Sequence, residues 1–271
     1  MKKDFRVAVA GRDELPGGYR RMAFDAPELA RALQPGQFIQ IRVDPDGEAP
    51  LLRRPFTPSW FEPDTGRVEI VFAVVGVGTR ALARRESGAI LDVLGPLGRG
   101  YEPPPPGAPA VIVGGGCGAP GLRPWLRALR ASGHRTGAVV GARTALSLPE
   151  LDRWGDGGAE PLLTASDDGS TGFRGNAVAA AESLLDGPFR GVKPALYGCG
   201  PRPMLSGLAR MAAARGLACQ VSLEERMACG FGACMGCSAA TRNPADPDPA
   251  AMVYERVCRD GPVFDAARLV W

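Results

Sequence analysis

Two patterns of hydrophobic residues divide the chain. Up to about residue 102, apolar and polar residues alternate in short runs, as in Phe38-Ile-Gln-Ile-Arg-Val43 and in Arg67-Val-Glu-Ile70. Alternation with a period of two is typical of half-buried β-strands. Turn-forming residues separate the runs, for example at Pro45-Asp-Gly47 and Pro63-Asp-Thr-Gly66. Many short strands at this spacing predict a small antiparallel β-barrel.

A different pattern begins at Ala110-Val-Ile-Val113, which predicts a short buried strand. A Gly-rich turn follows, and then a helix with apolar residues spaced at i, i+3, i+4 and i+7: Leu122, Trp125, Leu126 and Leu129. Further strands are predicted at Ala138–Val140, Pro161–Thr164, Ala195–Tyr197 and Cys219–Ser222. Helices are expected between them, most clearly from Pro203 to Arg215, with Gly216 as the C-terminal stop. Alternating strands and helices predict a doubly wound parallel sheet that binds ligands at the carboxyl ends of its strands.

These patterns predict a β + α/β chain in three parts. We place an antiparallel β-barrel at 1–102, an α/β domain at 108–225 and a small C-terminal subdomain at 226–271. The run from Pro103 to Pro106, followed by Gly107, is a stiff linker and marks the first boundary.

Composition narrows the possible functions. The chain has 271 residues and a net charge of +3. Because its charges are interspersed, we expect no nucleic acid or acidic lipid as a partner. No apolar run is long enough to cross a bilayer, and Met1-Lys-Lys-Asp-Phe5 leads into no apolar segment, so neither membrane insertion nor secretion is expected. An odd number of cysteines, seven, argues against a disulfide framework and for the reducing cytoplasm. The single histidine, His134, excludes His-rich metal sites and is predicted to lie in a surface loop.

The strongest motif is Cys229-Gly-Phe-Gly-Ala-Cys234-Met-Gly-Cys237, with Cys258 further along the chain. Three cysteines at C-x4-C-x2-C spacing and a distant fourth form the plant-type ligand pattern of a [2Fe–2S] cluster. The alternative is a zinc knuckle, but zinc sites favour C-x2-C pairs, and only Cys234 and Cys237 form one. We predict that Cys229, Cys234, Cys237 and Cys258 bind the cluster. The cluster would then staple a subdomain too short to have its own core.

Two glycine-rich turns point to a nucleotide. Gly116-Cys-Gly-Ala-Pro-Gly121 follows a predicted strand and precedes a helix, which suits a pyrophosphate at a helix N-terminus. Arg143 stands where a ribose-binding acid is expected in the Rossmann pattern, so we expect a different mode of nucleotide binding. Tyr197-Gly-Cys-Gly-Pro201 places Cys199 either at the ligand edge of the sheet or in the core.

Two motifs in the barrel region have a functional and a structural interpretation. Arg53-Arg-Pro-Phe-Thr57 combines cations that can hold a diphosphate with an aromatic ring that can flank a planar group. It could equally be an exposed strand end. Gly76-Val-Gly-Thr-Arg80 offers backbone donors to a phosphate, or forms a hairpin turn.

Together the motifs resemble the ferredoxin–NAD(P)H reductase superfamily, and within it the electron-transfer subunits of class 1B dihydroorotate dehydrogenase. The resemblance covers essentially the whole chain. Its most specific parts are Glu224-Glu-Arg-Met-Ala-Cys229 through Cys237, and Val257-Cys-Arg-Asp-Gly-Pro262. Gly95-Pro-Leu-Gly98 resembles a domain-closing turn, and Thr164-Ala-Ser-Asp-Asp-Gly169 resembles a Thr-x-Asp-Asp-Gly segment with one extra residue.

The resemblance implies positions for two cofactors. Arg54 would meet the diphosphate of FAD, the Thr57 hydroxyl would lie near the reactive flavin nitrogen, and Gly78-Thr79 would give a second diphosphate contact. Phe72-Ala73 stands where the family often has Tyr-Arg, which leaves backbone contacts there. The implied FAD residues are Arg54, Pro55, Phe56, Thr57, Phe72, Ala73, Val74, Gly78 and Thr79. The implied NAD residues are Gly114, Gly115, Gly116, Cys199 and Gly200.

The resemblance also implies a function. NADH would deliver a hydride to FAD, and single electrons would pass through the [2Fe–2S] cluster to or from FMN in a separate catalytic subunit, in a heterotetramer of two plus two. This chain would then need no catalytic acid or base. The alternatives are an electron-transfer subunit of another complex, of the sulfhydrogenase or transhydrogenase type, and a non-catalytic iron–sulfur or zinc protein.

Overall fold

A computed structural model describes residues 3–44, 50–243, 246, 248 and 251–271. The turn predicted at 45–47 lies outside the described residues. The longest described helix has 14 residues, which is shorter than a bilayer span, and no other helix in these ranges is a candidate membrane segment.

The first part of the chain folds into an antiparallel sheet of seven described strands. Its order is β4-β3-β7-β1-β2-β6-β5. The strands are β1 Lys3–Leu15, β2 Tyr19–Asp25, β3 Phe38–Arg42, β4 Arg54–Phe56, β5 Pro58–Glu62, β6 Arg67–Ala73 and β7 Ile90–Leu97. The alternating runs around residues 40 and 70 therefore form strands as predicted.

The order of the strands explains why this sheet is a barrel. β4 and β5 lie at opposite ends of the sheet order, yet only Thr57 separates them along the chain. The sheet must therefore curl until its two edges meet at Thr57. Alternate side chains fill the interior, including Ile39, Ile41 and Phe56.

The second sheet also has seven described strands, in the order β11-β10-β9-β8-β12-β13-β16. The strands are β8 Ala110–Gly115, β9 Thr136–Ala142, β10 Leu162–Ser166, β11 Phe173–Arg174, β12 Ala195–Cys199, β13 Cys219–Ser222 and β16 Val263–Asp265. All neighbours are parallel except β13 and β16, which are antiparallel.

Helices cover both faces of this sheet, as the doubly wound prediction required. These helices are α3 Arg123–Ala131, α4 Ala177–Asp186 and α5 Arg202–Arg215. Two further described α-helices, α1 Pro27–Ala32 and α2 Val77–Ala83, belong to the first part of the chain. Val111 and Val113 of β8 belong to a core shared with α4 and α5, whereas Ile112 points to the other face, toward α3. The α3 residues predicted from their spacing, among them Trp125 and Leu129, are buried there.

The C-terminal part of the chain shares the core of the second sheet. It contributes β16 and an antiparallel hairpin of β14 Ser238–Arg242 and β15 Met252–Arg256. Phe264 and Leu269 pack in the same hydrophobic cluster as Val221 of β13. The cluster-binding loop is therefore held by a strand pairing and by apolar burial, in addition to any metal ligation.

Three local predictions were wrong. His134 is only 5% exposed, because its Nδ1 lies 2.8 Å from the carbonyl oxygen of Ala108 and fixes the ring against the chain. Of the two interpretations of residues 76–80, the hairpin turn is wrong: Gly76 precedes the helix α2, and its carbonyl accepts a hydrogen bond from the backbone N–H of Arg80. Between β9 and β10 the described chain forms two 3₁₀ turns, Ala145–Ser147 and Leu151–Gly157, where a helix was expected.

Candidate functional site

The four predicted cluster ligands are brought together by two segments. Cys229, Cys234 and Cys237 occupy the loop before β14, and Cys258 follows β15, so the β14–β15 hairpin carries the fourth cysteine back to the first three. Arg256 ties the segments together: its guanidinium donates to the carbonyl of Gly232 at 3.2 Å and to the carboxylate of Asp260 at 3.0 Å.

The cysteines approach one another as two pairs. Cys229 Sγ accepts a hydrogen bond from the backbone N–H of Cys234 at 3.5 Å, and Cys237 Sγ accepts one from the N–H of Cys258 at 3.4 Å. In the described part of the chain, no group of three or more His, Cys, Asp or Glu side chains could hold a metal ion in the present arrangement. Two cysteine pairs suit a two-iron cluster better than a zinc site, whose four ligands surround one ion.

The pKa values of Cys229 and Cys258 are shifted in opposite directions. Burial raises the pKa of Cys229, but hydrogen bonds from the backbone of Cys234, Phe231 and Ala233 and from the Cys234 side chain lower it to about 6. Burial and the neighbouring Cys237 raise the pKa of Cys258 to about 12. Cys229 is therefore ready to bind iron as a thiolate, whereas metal binding must displace the proton of Cys258.

Arg54 lies at the start of β4, beside the first turn of α2. Its Nη1 donates to the carbonyl of Leu52 at 2.6 Å, and no described carboxylate pairs with it. A Cβ atom added at Gly78 would lie 2.7 Å from Arg54 Nε. Gly78 thus makes room for a guanidinium whose charge is available to an anion such as a diphosphate.

Thr79 uses its hydroxyl locally. Oγ1 accepts hydrogen bonds from the backbone N–H groups of Val75 and Gly76, each at 3.0 Å, and so fixes the start of α2. A diphosphate contact at Gly78-Thr79 would therefore come from backbone N–H groups.

The apolar residues around Arg54 divide into buried and exposed sets. Phe56 and Phe72 form an edge-to-face pair in the barrel core, with ring centroids 5.7 Å apart, so Phe72 offers only its backbone outward. Four large apolar side chains near Arg54 and α2 are exposed: Leu51, Leu52, Val75 and Val77. Exposed apolar surface of this kind suits contact with a planar cofactor.

The glycine-rich turn after β8 touches residues 54–57, the segment that the family resemblance assigns to FAD and that we call the flavin motif. Gly114 and Gly115 end β8, and a 3₁₀ turn from Gly116 to Leu122 follows. A Cβ atom added at Gly121 would lie 3.0 Å from Thr57 Cγ2. The predicted nucleotide edge and the predicted flavin edge are therefore in contact at Thr57.

Cys199 lies at the carboxyl end of β12, beside Gly114 in the parallel register. Cys199 is half-buried, so its exposure does not decide between the ligand edge of the sheet and the core, the two interpretations of its motif. Burial, followed by the negative charge of Glu224, raises the pKa of the Cys199 thiol to about 12. The thiol is therefore neutral at physiological pH.

Comparisons with known proteins agree with this geometry. Residues 8–101 match a family model described as an oxidoreductase FAD-binding domain. Residues 224–270 match the iron–sulfur cluster binding domain of dihydroorotate dehydrogenase B. The chain is 35% identical over 251 residues to the dihydroorotate dehydrogenase B (NAD(+)) electron transfer subunit of Desulforamulus reducens, with 92% of each chain covered. The chain belongs to this family.

A second relative and a solved structure support the assignment. The corresponding electron transfer subunit of Bacillus caldolyticus is 36% identical over 88% of this chain and 87% of its own. A chain from the structure of an NADH-dependent reduced ferredoxin–NADP oxidoreductase, described in connection with flavin-based electron bifurcation, is 27% identical. It superimposes with a TM-score of 0.82 over 98% of this chain and 90% of that chain. The predicted fold class, FAD and the iron–sulfur cluster are thus confirmed.

Sequence reasoning missed Gln40, which lies opposite Pro55 of β4 and against Gly230 of the cysteine loop. Gln40 is fully buried, and neither its Oε1 nor its Nε2 has a hydrogen-bond partner among the described residues. A buried unpaired amide costs about 1–3 kcal/mol for each group left unpaired. In the strand pattern Gln40 occupies a position that faces solvent, so no sequence signal distinguished it.

Sequence reasoning also missed Glu150, which joins the barrel to the α/β domain. Its carboxylate is 1% exposed and pairs with Arg21 of β2 and Arg123 of α3, both at 2.9 Å. Arg153 connects Glu150, at 3.1 Å, to Glu69 of β6, at 2.7 Å. These ion pairs connect β2 and β6 of the barrel to α3 and to the 3₁₀ turn at Leu151–Gly157.

Proposed function

We propose that this chain is the electron-transfer subunit of an NAD-dependent dihydroorotate dehydrogenase. It would work in the cytoplasm, in a heterotetramer of two such chains and two FMN-containing catalytic subunits. The names of its relatives and the two domain matches support this role. The boundaries proposed for its FAD, NAD and cluster parts remain 1–102, 108–225 and 226–271.

The observation that carries the proposal is the order of the three sites. The glycine-rich turn of the nucleotide domain meets the flavin motif at Gly121 and Thr57, and the cluster loop meets the neighbouring strand at Gly230 and Gln40. A nucleotide, a flavin and a cluster held by these residues would be neighbours in that order. When bound, FAD supplies two-electron chemistry and the cluster supplies one-electron chemistry, which is the conversion such a subunit requires.

The chain's own residues hold and separate the reactants. We assign Arg54 and the backbone at Gly78 to the FAD diphosphate, Thr57 to the flavin edge, and Gly114 to Gly116 with Cys199 and Gly200 to NAD. The neutral Cys199 thiol adds no charge beside the site of hydride transfer. Oxidation of dihydroorotate also needs a base that takes a proton from carbon, and we assign that base to the catalytic subunit.

Reconstitution tests this function. We expect the purified chain to reduce artificial electron acceptors with NADH but to leave dihydroorotate unchanged, because the base and FMN lie in the partner. Addition of the FMN subunit should produce NAD-linked dihydroorotate oxidation. Dihydroorotate turnover by this chain alone would overturn the proposal.

A second candidate is an electron-transfer subunit of a transhydrogenase-type complex. The superposition on the NADH-dependent reduced ferredoxin–NADP oxidoreductase favours it, at 27% identity and a TM-score of 0.82. Reconstitution with the FMN subunit separates the two candidate functions. A transhydrogenase-type subunit would show no dihydroorotate oxidation with that subunit and would instead couple NADH to ferredoxin and NADP with its own partner.

A further inference from the structure

The position of Gln40 in β3 determines the direction of its side chain. Ile39 and Ile41 both point into the barrel core and are fully buried. Because successive side chains in a strand point to opposite faces, Gln40 points out of the barrel. Gln40 is nevertheless fully buried, so another part of the chain must cover it.

The cluster loop provides that cover. A Cβ atom added at Gly230 would lie 2.5 Å from the amide carbon of Gln40 and 2.6 Å from its Nε2. Gly230 immediately follows the predicted ligand Cys229 and has a positive φ of 76°. The amide of Gln40 therefore occupies the space that a side chain at residue 230 would fill.

Gln40 also faces the flavin motif. In the antiparallel register of β3 and β4, Gln40 lies directly opposite Pro55, so the two side chains share the outer face of the barrel. One amide thus lies between the strand that carries Arg54 and Thr57 and the loop that carries the cysteines.

We propose that Gln40 is a positioning and tuning residue for the cluster, and that its side-chain N–H donates a hydrogen bond to a sulfur of the bound cluster. Its two polar atoms have no partner among the described residues, and sulfur ligands accept hydrogen bonds. A donated hydrogen bond stabilises the more negative, reduced state and raises the reduction potential of the cluster. The inference rests on the proposed iron–sulfur site.

The test is a redox titration of the cluster in the intact holoprotein, followed by electron paramagnetic resonance. Gln40→Met keeps the length of the side chain and removes the donor. We expect the ratio of reduced to oxidised cluster at a fixed potential to fall about tenfold, which is a downward shift of the potential of about 59 mV for one electron. Gln40→Glu replaces the amide by a carboxylate, which donates no hydrogen bond, and should shift the cluster potential in the same direction. This variant tests the role of Gln40 if the Met variant does not fold.

The matched control is Gln37→Met. Gln37 precedes β3, and its amide already has a partner, since it donates to the carbonyl of Gly98 at 3.0 Å. We expect it to leave the cluster potential unchanged. An unchanged cluster potential in the Gln40 variants, or a shift of the FAD potential alone, would overturn the inference.

The design separates this inference from the cluster assignment itself. Wild-type protein without a reduced-state [2Fe–2S] signal would refute the cluster, and Cys234→Ser gives the cluster-free baseline. A normal wild-type signal with an unresponsive Gln40 would refute only the role of Gln40.

Discussion

A missing Cβ atom at Gly78 creates the space in which Arg54 lies. Alanine at residue 78 suits the backbone, because Gly78 is in the first turn of α2 and has no positive φ. Its methyl group would nevertheless lie 2.7 Å from Arg54 Nε and displace the guanidinium. Helix stability and FAD affinity should therefore change in opposite directions.

We expect Gly78→Ala to lower the affinity for FAD about tenfold and to leave the thermal stability of the FAD-free protein equal or higher, since Ala favours a helix.

Arg54→Ala should lower FAD affinity roughly ten- to a hundredfold, because charge-assisted hydrogen bonds worth ~1.5–3 kcal/mol are lost. FAD content after dialysis and fluorescence titration measure both. Gly76→Ala is the control, since nothing lies within 4 Å of its added Cβ; equal losses in the Gly76 and Gly78 variants would contradict the prediction.

The functional residues that could be predicted from the sequence are those whose spacing is specific to one kind of site. Cys229, Cys234 and Cys237 carry a ligand pattern that few other functions require. Gln40 and Glu150 were not accessible, because their burial depends on contacts with segments far along the chain. A glutamine at a solvent-facing strand position looks identical whether water or a protein loop covers it.

The junction between the barrel and the α/β domain depends on buried charge. Glu150 is nearly inaccessible and meets Arg123, itself 3% exposed, together with Arg21 of the barrel. Around this centre, Trp60 of β5 lies 4.2 Å from the guanidinium of Arg127 in α3. Burial lowers the pKa of Arg123, an effect that the charge of Glu150 opposes.

Removal of the Glu150 charge should weaken this junction. We expect Glu150→Gln to lower the free energy of unfolding by about 3–5 kcal/mol, because a buried arginine loses its carboxylate. Denaturant titration measures the change. Asp186→Asn, which breaks the exposed pair with Arg215, is the matched control and should have no measurable effect. Equal stability of both variants would show that the Glu150 pairs are not a structural junction.

At the level of elements, regular periodicity was a reliable guide and irregular segments were not. β13 lies at Cys219–Ser222 as predicted, and α5 begins one residue earlier than expected, at Arg202. The antiparallel addition of β16 could not be predicted, because three residues give no periodic signal. The 3₁₀ turns between β9 and β10 replace a helix in a stretch rich in glycine and proline, which favour turns.

Across the whole molecule, the cluster loop has a buried and an exposed side. Cys237 and Cys258 are buried in the shared core, whereas Cys234 is exposed. Two large apolar residues of the same loop, Phe231 and Met235, are 46% and 49% exposed. Electrons that leave the chain for a partner would cross this exposed side, so we expect the partner to bind there.

We expect Phe231→Asp to weaken binding of the FMN subunit about tenfold or more, since buried aromatic residues dominate interface energies. NADH-dependent dye reduction should not change, because it needs only the nucleotide and flavin sites. Surface plasmon resonance and the coupled dihydroorotate assay measure the two effects. Val192→Asp is the control: Val192 is 41% exposed but lies near the amino end of β12, on the opposite edge of the sheet. Unimpaired coupling in the Phe231 variant would place the interface elsewhere.

The pairing of β13 with β16 has a consequence for synthesis on the ribosome. β13 emerges first, and its outer edge stays unpaired until β16 follows the whole cysteine-bearing segment. Unpaired edges are templates for intermolecular pairing and aggregation. A growing chain therefore protects this edge of the second sheet only after all four predicted cluster ligands have been translated. A chain truncated between Cys237 and Val263 should therefore aggregate, because the outer edge of its β13 strand stays unpaired.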